Sequence, residues 1–169
     1  MNSNIVFRNV EKTDTEALWN MKNLLDYETK FMMYEPGERP KNLSMLQEIV
    51  DSAVDGDNLY FLALDGSEII GYISAQIGKA RREQHSAYIV VGIREKYRNK
   101  GIGTEFFKKL NELGYEKKLV RLELTVLCNN EVVLNLYKKN DFEIEGIKRK
   151  SMYVDGVYVD EYYMSKIIR

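Results

Sequence analysis

Apolar positions along the chain switch repeatedly between the two-residue period of a strand and the three-to-four-residue period of a helix. Ile5-Val6-Phe7 reads as a short strand. Thr13-Asp14-Thr15-Glu16 has the form of a capping box, and Leu18, Met21, Leu24 and Leu25 behind it predict an amphipathic helix. The stretch Phe31–Pro40, with a Pro-Gly turn, ends that helix, and a second starts at about Ser44 carrying Leu46, Ile49 and Val50. Leu59–Leu64 and Ile69–Gln76 read as strands joined around Asp65-Gly66, a strong hairpin signal, and Ser86–Ile93 adds another strand. Ile102, Phe106, Phe107, Leu110 and Leu113 then repeat at helical spacing, followed by a strand over Leu119–Val126. Asn129-Asn130 offers an N-cap to a helix carrying Val133, Leu134, Leu136 and Tyr137. Two final strands flank Val154-Asp155-Gly156-Val157. The expected order is β-α-α-β-β-β-α-β-α-β-β, an α/β fold with a mixed sheet covered by helices.

With 169 residues, no low-complexity linker and no internal repeat, one domain over residues 1–169 is expected. A net charge of −1 with 30% charged residues intersperses both signs, which argues against a nucleic-acid or membrane surface. Cys128 and His85 are each alone of their type, so neither an intrachain disulfide nor an ordinary zinc site is expected, and no metal is assigned. No apolar run approaches a membrane span, and the N-terminus lacks the basic-then-apolar order of a signal peptide. A soluble cytoplasmic protein is the expectation.

Chemistry concentrates where the strand ending in Val91-Gly92-Ile93 meets Arg94-Glu95-Lys96-Tyr97-Arg98-Asn99-Lys100-Gly101-Ile102-Gly103-Thr104. A basic, glycine-bearing turn between strand and helix offers backbone N–H groups and a helix N-terminus to an anion. Gly101 and Gly103 remove side chains that would keep a phosphate from the backbone, while Arg98 and Lys100 add charge. The stretch therefore reads as a pyrophosphate cradle. It has neither the Gly-x-x-x-x-Gly-Lys-Ser/Thr of a Walker loop nor the three spaced glycines of a dinucleotide fingerprint, which makes a nucleotide enzyme remote.

Arg98-x-x-Gly101-x-Gly103 after a strand closely resembles the Arg/Gln-x-x-Gly-x-Gly/Ala signature of the GNAT-type N-acetyltransferases, which holds the pyrophosphate of acetyl-CoA. The order of elements is also that family's, which implies a mostly antiparallel sheet of about seven strands flanked by about four helices. Downstream, Leu122–Val126, Asn130-Glu131, Leu136-Tyr137 and Phe142 resemble the family's second half. Val133 stands for its usual alanine and Asp141 for its usual glycine, departures that touch helix packing and helix exit. The pattern is similar to bacterial small-amine and polyamine acetyltransferases.

The resemblance implies acetyl-CoA as the cofactor, held by Val91, Gly92, Ile93, Arg98, Asn99, Lys100, Gly101, Ile102, Gly103, Thr104, Asn130 and Tyr137. The pantetheine arm would pair with the end of the strand at Val91–Ile93, and a backbone N–H there, at Ile93, would donate to the thioester oxygen. Tyr137 is the candidate general acid for the departing thiolate. Asn130 and Tyr137 are seven residues apart, so two helical turns place them on one face. Asn130 would hold a pantetheine amide; an N-cap and a core aromatic are their structural alternatives. The base stays open between Glu123 acting through a water, Glu38 or Glu35 in the loop between the first two helices, and a water wire. His85 opens a strand and reads as an exposed turn residue, and Cys128 has no base beside it to activate a covalent route.

Tyr34, Glu35 and Glu38, with Tyr153, Tyr158, Tyr162 and Tyr163 of the final hairpin, would line an amine pocket suited to a cationic acceptor. The expected acceptor is the primary amine of a small molecule: a polyamine, an amino acid or an aminoglycoside-like compound. A protein N-terminal acetyltransferase of the ribosomal-protein type and a non-catalytic CoA-binding sensor are the alternatives. Many relatives pair as homodimers, and the strand-rich C-terminus offers such an edge.

Overall fold

The computed structural model describes residues 4–168. Its elements are β1 (Ile5–Asn9), α1 (Thr15–Glu28), α2 (Leu43–Val54), β2 (Leu59–Asp65), β3 (Glu68–Ile77), β4 (Ser86–Ile93), α3 (Ile102–Glu116), β5 (Arg121–Leu127), α4 (Glu131–Lys139), β6 (Glu143–Val154) and β7 (Val157–Ile167). This is the order read from the periodicity. The seven strands run β1-β2-β3-β4-β5-β7-β6. The pairs β1–β2, β2–β3, β5–β7 and β6–β7 are antiparallel, and β4–β5 is parallel, the crossover between them being α3. No helix among the described residues is long and apolar enough to cross a membrane. Contacts group the chain into two units: residues through Gln76 with Val90–Leu113, and Ile77–Ile89 with the chain from Gly114 onward.

In the first unit α1 and α2 bury Leu18, Met21, Leu25, Leu46 and Val50 in a core shared with Tyr60, Leu62 and Tyr72 of β2 and β3. All five apolar residues of the helix after the cradle, from Ile102 to Leu113, are buried. Phe106 meets the rings of Phe7 and Phe61 edge-on at 6.0 and 6.3 Å. Three details differ from the pattern. Leu24 and Ile49 are 45% and 40% exposed, so each helix buries a narrower stripe than its apolar residues suggest. Thr13 caps nothing: Lys12–Asp14 is a 3-10 turn that places Asp14 at the N-cap of α1. The Asp14 carboxylate accepts the Glu11 N–H at 2.7 Å and two Arg8 N–H bonds at 2.6 and 2.9 Å, a charge-assisted set that a threonine hydroxyl cannot match.

The second unit carries β5, β7 and β6 with α4. Leu122, Leu124 and Val126 are buried, and Arg121, Glu123 and Thr125 alternate with them on the opposite face, half-buried. The strand starts at Arg121 rather than Leu119, because the Leu119 N–H closes the end of α3 onto Gly114 O and those of Val120 and Arg121 go to His85 O. His85 itself is exposed. The Asn130 side chain accepts from Val133 N–H at 3.4 Å, the N-cap its sequence offers. Asp141 leaves α4 in the left-handed region, φ +65°, a conformation aspartate tolerates better than most side chains. Asp155 and Gly156, φ +52° and +81°, turn the chain between β6 and β7.

Candidate active site

At the end of β4 the chain enters a loop braced on every side. The Arg94 guanidinium pairs with Glu28 at 2.7 Å and Glu68 at 3.0 Å, and the Arg94 backbone N–H donates to Ile70 O at 2.9 Å. The Glu95 N–H donates to the second Glu28 oxygen at 2.9 Å. Tyr97 is buried, with its hydroxyl on Asp65 Oδ2 at 2.8 Å, and the ammonium groups of Lys96 and Lys100 lie 4.9 and 5.0 Å from its ring centre. Arg94, Tyr97 and Glu28 were not singled out by the motif, because their partners lie far away in sequence. The Arg98 Nε–H donates to Ile93 O at 3.2 Å, which ties the loop back to the strand.

The next residues have the form of an anion seat. Asn99 and Gly101 adopt φ of +59° and +80°, reversals of the kind that turn successive amides toward one side. A β-carbon on Gly101 would meet nothing within 4 Å, so the space above this backbone is open. The Glu105 N–H makes the first helical bond, to Gly101 O, at 3.2 Å; the N–H groups of Ile102, Gly103 and Thr104 are the unsatisfied donors every helix start carries. Arg98, Asn99, Lys100 and Thr104 are exposed, and neither Arg98 nor Lys100 has an ion-pair partner among the described residues. These residues fit a diphosphate.

Upstream on the same strand Val91 and Ile93 are half-buried and Gly92 is buried. The close approach that the glycine permits is made by side chains: a β-carbon there would stand 2.8 Å from both Leu25 Cδ1 and Tyr72 Cε1. Beyond Tyr72 lies a polar cluster that the sequence did not reveal. The rings of Tyr72 and Tyr60 stack at 5.4 Å, and the Lys22 ammonium sits 4.7 and 5.6 Å from their centres. Burial, then the charge of Arg39, pushes the Lys22 ammonium down to about 8, and burial raises both phenols. The Tyr60 hydroxyl is fully buried without a hydrogen-bond partner among the described residues. Asp26, buried one turn after Lys22, gives both oxygens to Arg39 at 2.6 and 2.8 Å.

The loop between α1 and α2 supplies that Arg39, whose guanidinium lies 4.8 Å from the Tyr34 ring centre. Glu35 and Glu38 are exposed, and Glu38 Oε2 accepts the Glu35 N–H at 2.9 Å, closing a turn. The charge this loop sends inward is thus a cation.

In the second unit a cleft of about 290 Å³ is lined by Tyr88, Arg121, Glu123, Thr125, Glu145 and Tyr163 among others. Glu123 is there, with Oε2 accepting from Arg121 Nε at 2.6 Å. Arg121 also holds Glu145 through two bonds, and with the Ser165 hydroxyl it brings the Glu145 carboxyl down to about 2. The hydroxyls of Tyr88 and Thr125 are 2.9 Å apart. Tyr163 belongs to the lining, whereas Tyr153 and Tyr158 pack on each other at 5.0 Å, both exposed. On α4, Tyr137 is buried with its ring 5.9 Å from Phe142, and Asn130 is buried at the cap. Burial, its largest influence, raises the Cys128 thiol above its ordinary range.

Comparison with known proteins bears on the family and the fold. The model of the acetyltransferase (GNAT) family matches residues 21–142. The L-amino acid N-acetyltransferase AaaT of Escherichia coli K12 is 26% identical over 98% of the chain and 99% of its own length. A crystal structure of a GNAT-family acetyltransferase from Streptococcus pneumoniae superposes with a TM-score of 0.91 at 24% identity, covering 97% of this chain and 99% of that one. A phosphinothricin acetyltransferase from Sinorhizobium meliloti, solved with acetyl-CoA, gives 0.82 at 18% identity over 97% and 88%.

Proposed function

The chain belongs to the acetyltransferase (GNAT) family, and from that premise we propose that it transfers an acetyl group from acetyl-CoA to the primary amine of a small molecule, by direct attack in a ternary complex. The observation that carries this reading is the seat after β4, with open space over Gly101, left-handed Asn99, and Arg98 and Lys100 exposed beside the first turn of α3 with no ion-pair partner among the described residues.

Acetyl-CoA supplies the activated acetyl thioester. Ile102, Gly103 and Thr104 offer N–H donors to its diphosphate, and Arg98 and Lys100 add screening charge. Val91–Ile93 receive the pantetheine arm, with the Ile93 N–H as donor to the thioester oxygen. Asn130 holds a pantetheine amide, and Tyr137 returns a proton to the sulfur. Glu123, which lines the cleft beside Arg121, takes the amine proton through water. A thiol raised by burial, as Cys128 is, makes a poor nucleophile, which favours direct attack over an acyl-enzyme.

The E. coli relative acts, by its name, on L-amino acids, which supports a small acceptor. Thiol release from acetyl-CoA is the test, with polyamines, amino acids, aminoglycosides and N-terminal peptides as acceptors. Acceleration by a small amine is expected. Acceleration by peptides alone, or by nothing, overturns the reading.

A further inference from the structure

Lys22 lacks the partner that its surroundings call for. On a helix, Lys22 and Asp26 are four residues apart and would ordinarily form an ion pair. Here Asp26 is committed to Arg39 through both oxygens, and Glu28, the next acid on α1, is committed to Arg94 and the Glu95 N–H. The Lys22 ammonium is left over the faces of Tyr60 and Tyr72, with no carboxylate bonded to it among the described residues. The local sum is Lys22 and Arg39 against Asp26, one positive charge in excess. Lys22 is half-buried, and contact with ring faces recovers only part of what a partly desolvated ammonium loses. A second group is also unsatisfied: the Tyr60 hydroxyl, buried and without a hydrogen-bond partner among the described residues. A donor-only cation and a hydroxyl call for the same thing, an acceptor carrying negative charge.

The cluster's position says which molecule would bring it. The Tyr72 ring has Lys22 over its face and Gly92 of β4 against its edge. One aromatic ring therefore separates the ammonium from the strand at which the acetyl donor is read to lie.

We propose that Lys22 and the Tyr60 hydroxyl form the carboxylate-binding end of the acceptor site, so that the amine acetylated belongs to an amino acid. This rests on the acetyltransferase reading above, and it departs from the cationic acceptor that Glu35 and Glu38 suggest in the sequence. A polyamine would place a second ammonium beside Lys22, where the nearest carboxylate is spent. An amino acid brings its own counter-charge and holds its amine a few bonds away.

The test is calorimetric, on the full chain saturated with CoA. Each common L-amino acid is titrated against its own amide and against spermidine, and thiol release from acetyl-CoA is then measured with the same compounds. The amide keeps side chain and amine but loses the charge. Its amine is also less basic and so more of it is uncharged at neutral pH, which means that faster release with the acid is not an effect of free-amine supply. At least one amino acid is expected to bind ten-fold or more tighter than its amide. Lys22→Met should erase that preference by weakening the acid alone, Lys22→Arg should keep part of it, and Tyr60→Phe should lose several-fold. Equal binding of acid and amide, tightest binding of spermidine, or a Lys22→Met loss shared by acid and amide overturns the proposal. If Lys22→Met fails to fold, unchanged acid preference in Tyr60→Phe and Lys22→Gln overturns it. Amino-acid binding without thiol release would leave this site standing and remove the acetyltransferase reading; release with spermidine but no amino acid does the reverse.

Discussion

A β-carbon on Gly92 would stand 2.8 Å from Cε1 of Tyr72, closer than real side chains approach, and equally close to Leu25 Cδ1. The two residues fix each other: the ring can set its edge against β4 only because the strand carries hydrogen at that point. Gly92→Ala should therefore act as an overpacking substitution, with a cost of about 1–3 kcal/mol. For a chain of this size that is a fall in Tm of roughly 2–12 °C. Scanning calorimetry checks it. A neutral Gly92→Ala would mean that the ring yields freely.

The cradle offers a cleaner separation of backbone from ligand. Gly101 sits at φ +80° with free space around a β-carbon, so a substitution there strains the chain without hitting a neighbour. Gly101→Asn, which tolerates the left-handed region, should keep most of the stability, whereas Gly101→Val should lose more than 1 kcal/mol. Both place atoms over the backbone read as the diphosphate seat, and both should weaken acetyl-CoA binding by ten-fold or more in calorimetry. Unchanged affinity in Gly101→Asn would move the diphosphate elsewhere.

Tyr137 is buried against Phe142, which on its own describes a core aromatic. The proton-return role separates from that description kinetically. Tyr137→Phe keeps the ring and its packing, so it should lower kcat by 10²-fold or more with little change in acetyl-CoA affinity or Tm. Parallel losses of affinity and turnover would assign the tyrosine to packing.

The sequence conveys local structure well because the signals are local. Asn130 announces its helix three residues ahead of the amide it caps, and Asp155-Gly156 carries its own left-handed turn. The cradle is legible for the same reason, since strand end, loop and helix start are contiguous. The Lys22 cluster is not. Its two tyrosines meet because β2 and β3 pair in a register that sets Leu62 opposite Tyr72 and Tyr60 opposite Ser74, so the rings are diagonal neighbours. Its buried acid is silenced by an arginine thirteen residues away. Among 12 tyrosines and 25 basic residues nothing in the order of letters selects these. Glu35 and Glu38, which read in the sequence as part of a pocket for a cation, are exposed in the fold, where Glu38 closes the turn at Glu35.

The position of Lys22 also has a thermodynamic signature. Burial, with the Arg39 charge second, brings its ammonium from an ordinary 10.5 down to about 8, so the folded chain gives up this proton more readily than the unfolded chain. Between about pH 8 and 10.5 the unfolded chain then binds more protons at this site, and its contribution to stability rises with pH. Below about pH 8 both states hold the proton and the whole penalty is present. Methionine keeps the stem, removes the charge and still packs well on aromatic rings. Lys22→Met should therefore be more stable than the parent protein at pH 7, with the difference shrinking toward pH 10.5. Urea midpoints at pH 7, 8.5 and 10 measure it. A variant that gains stability while losing its preference for the carboxylate would mark Lys22 as a residue kept for binding at the expense of the fold. A variant less stable at every pH would make the lysine a structural prop for the two rings.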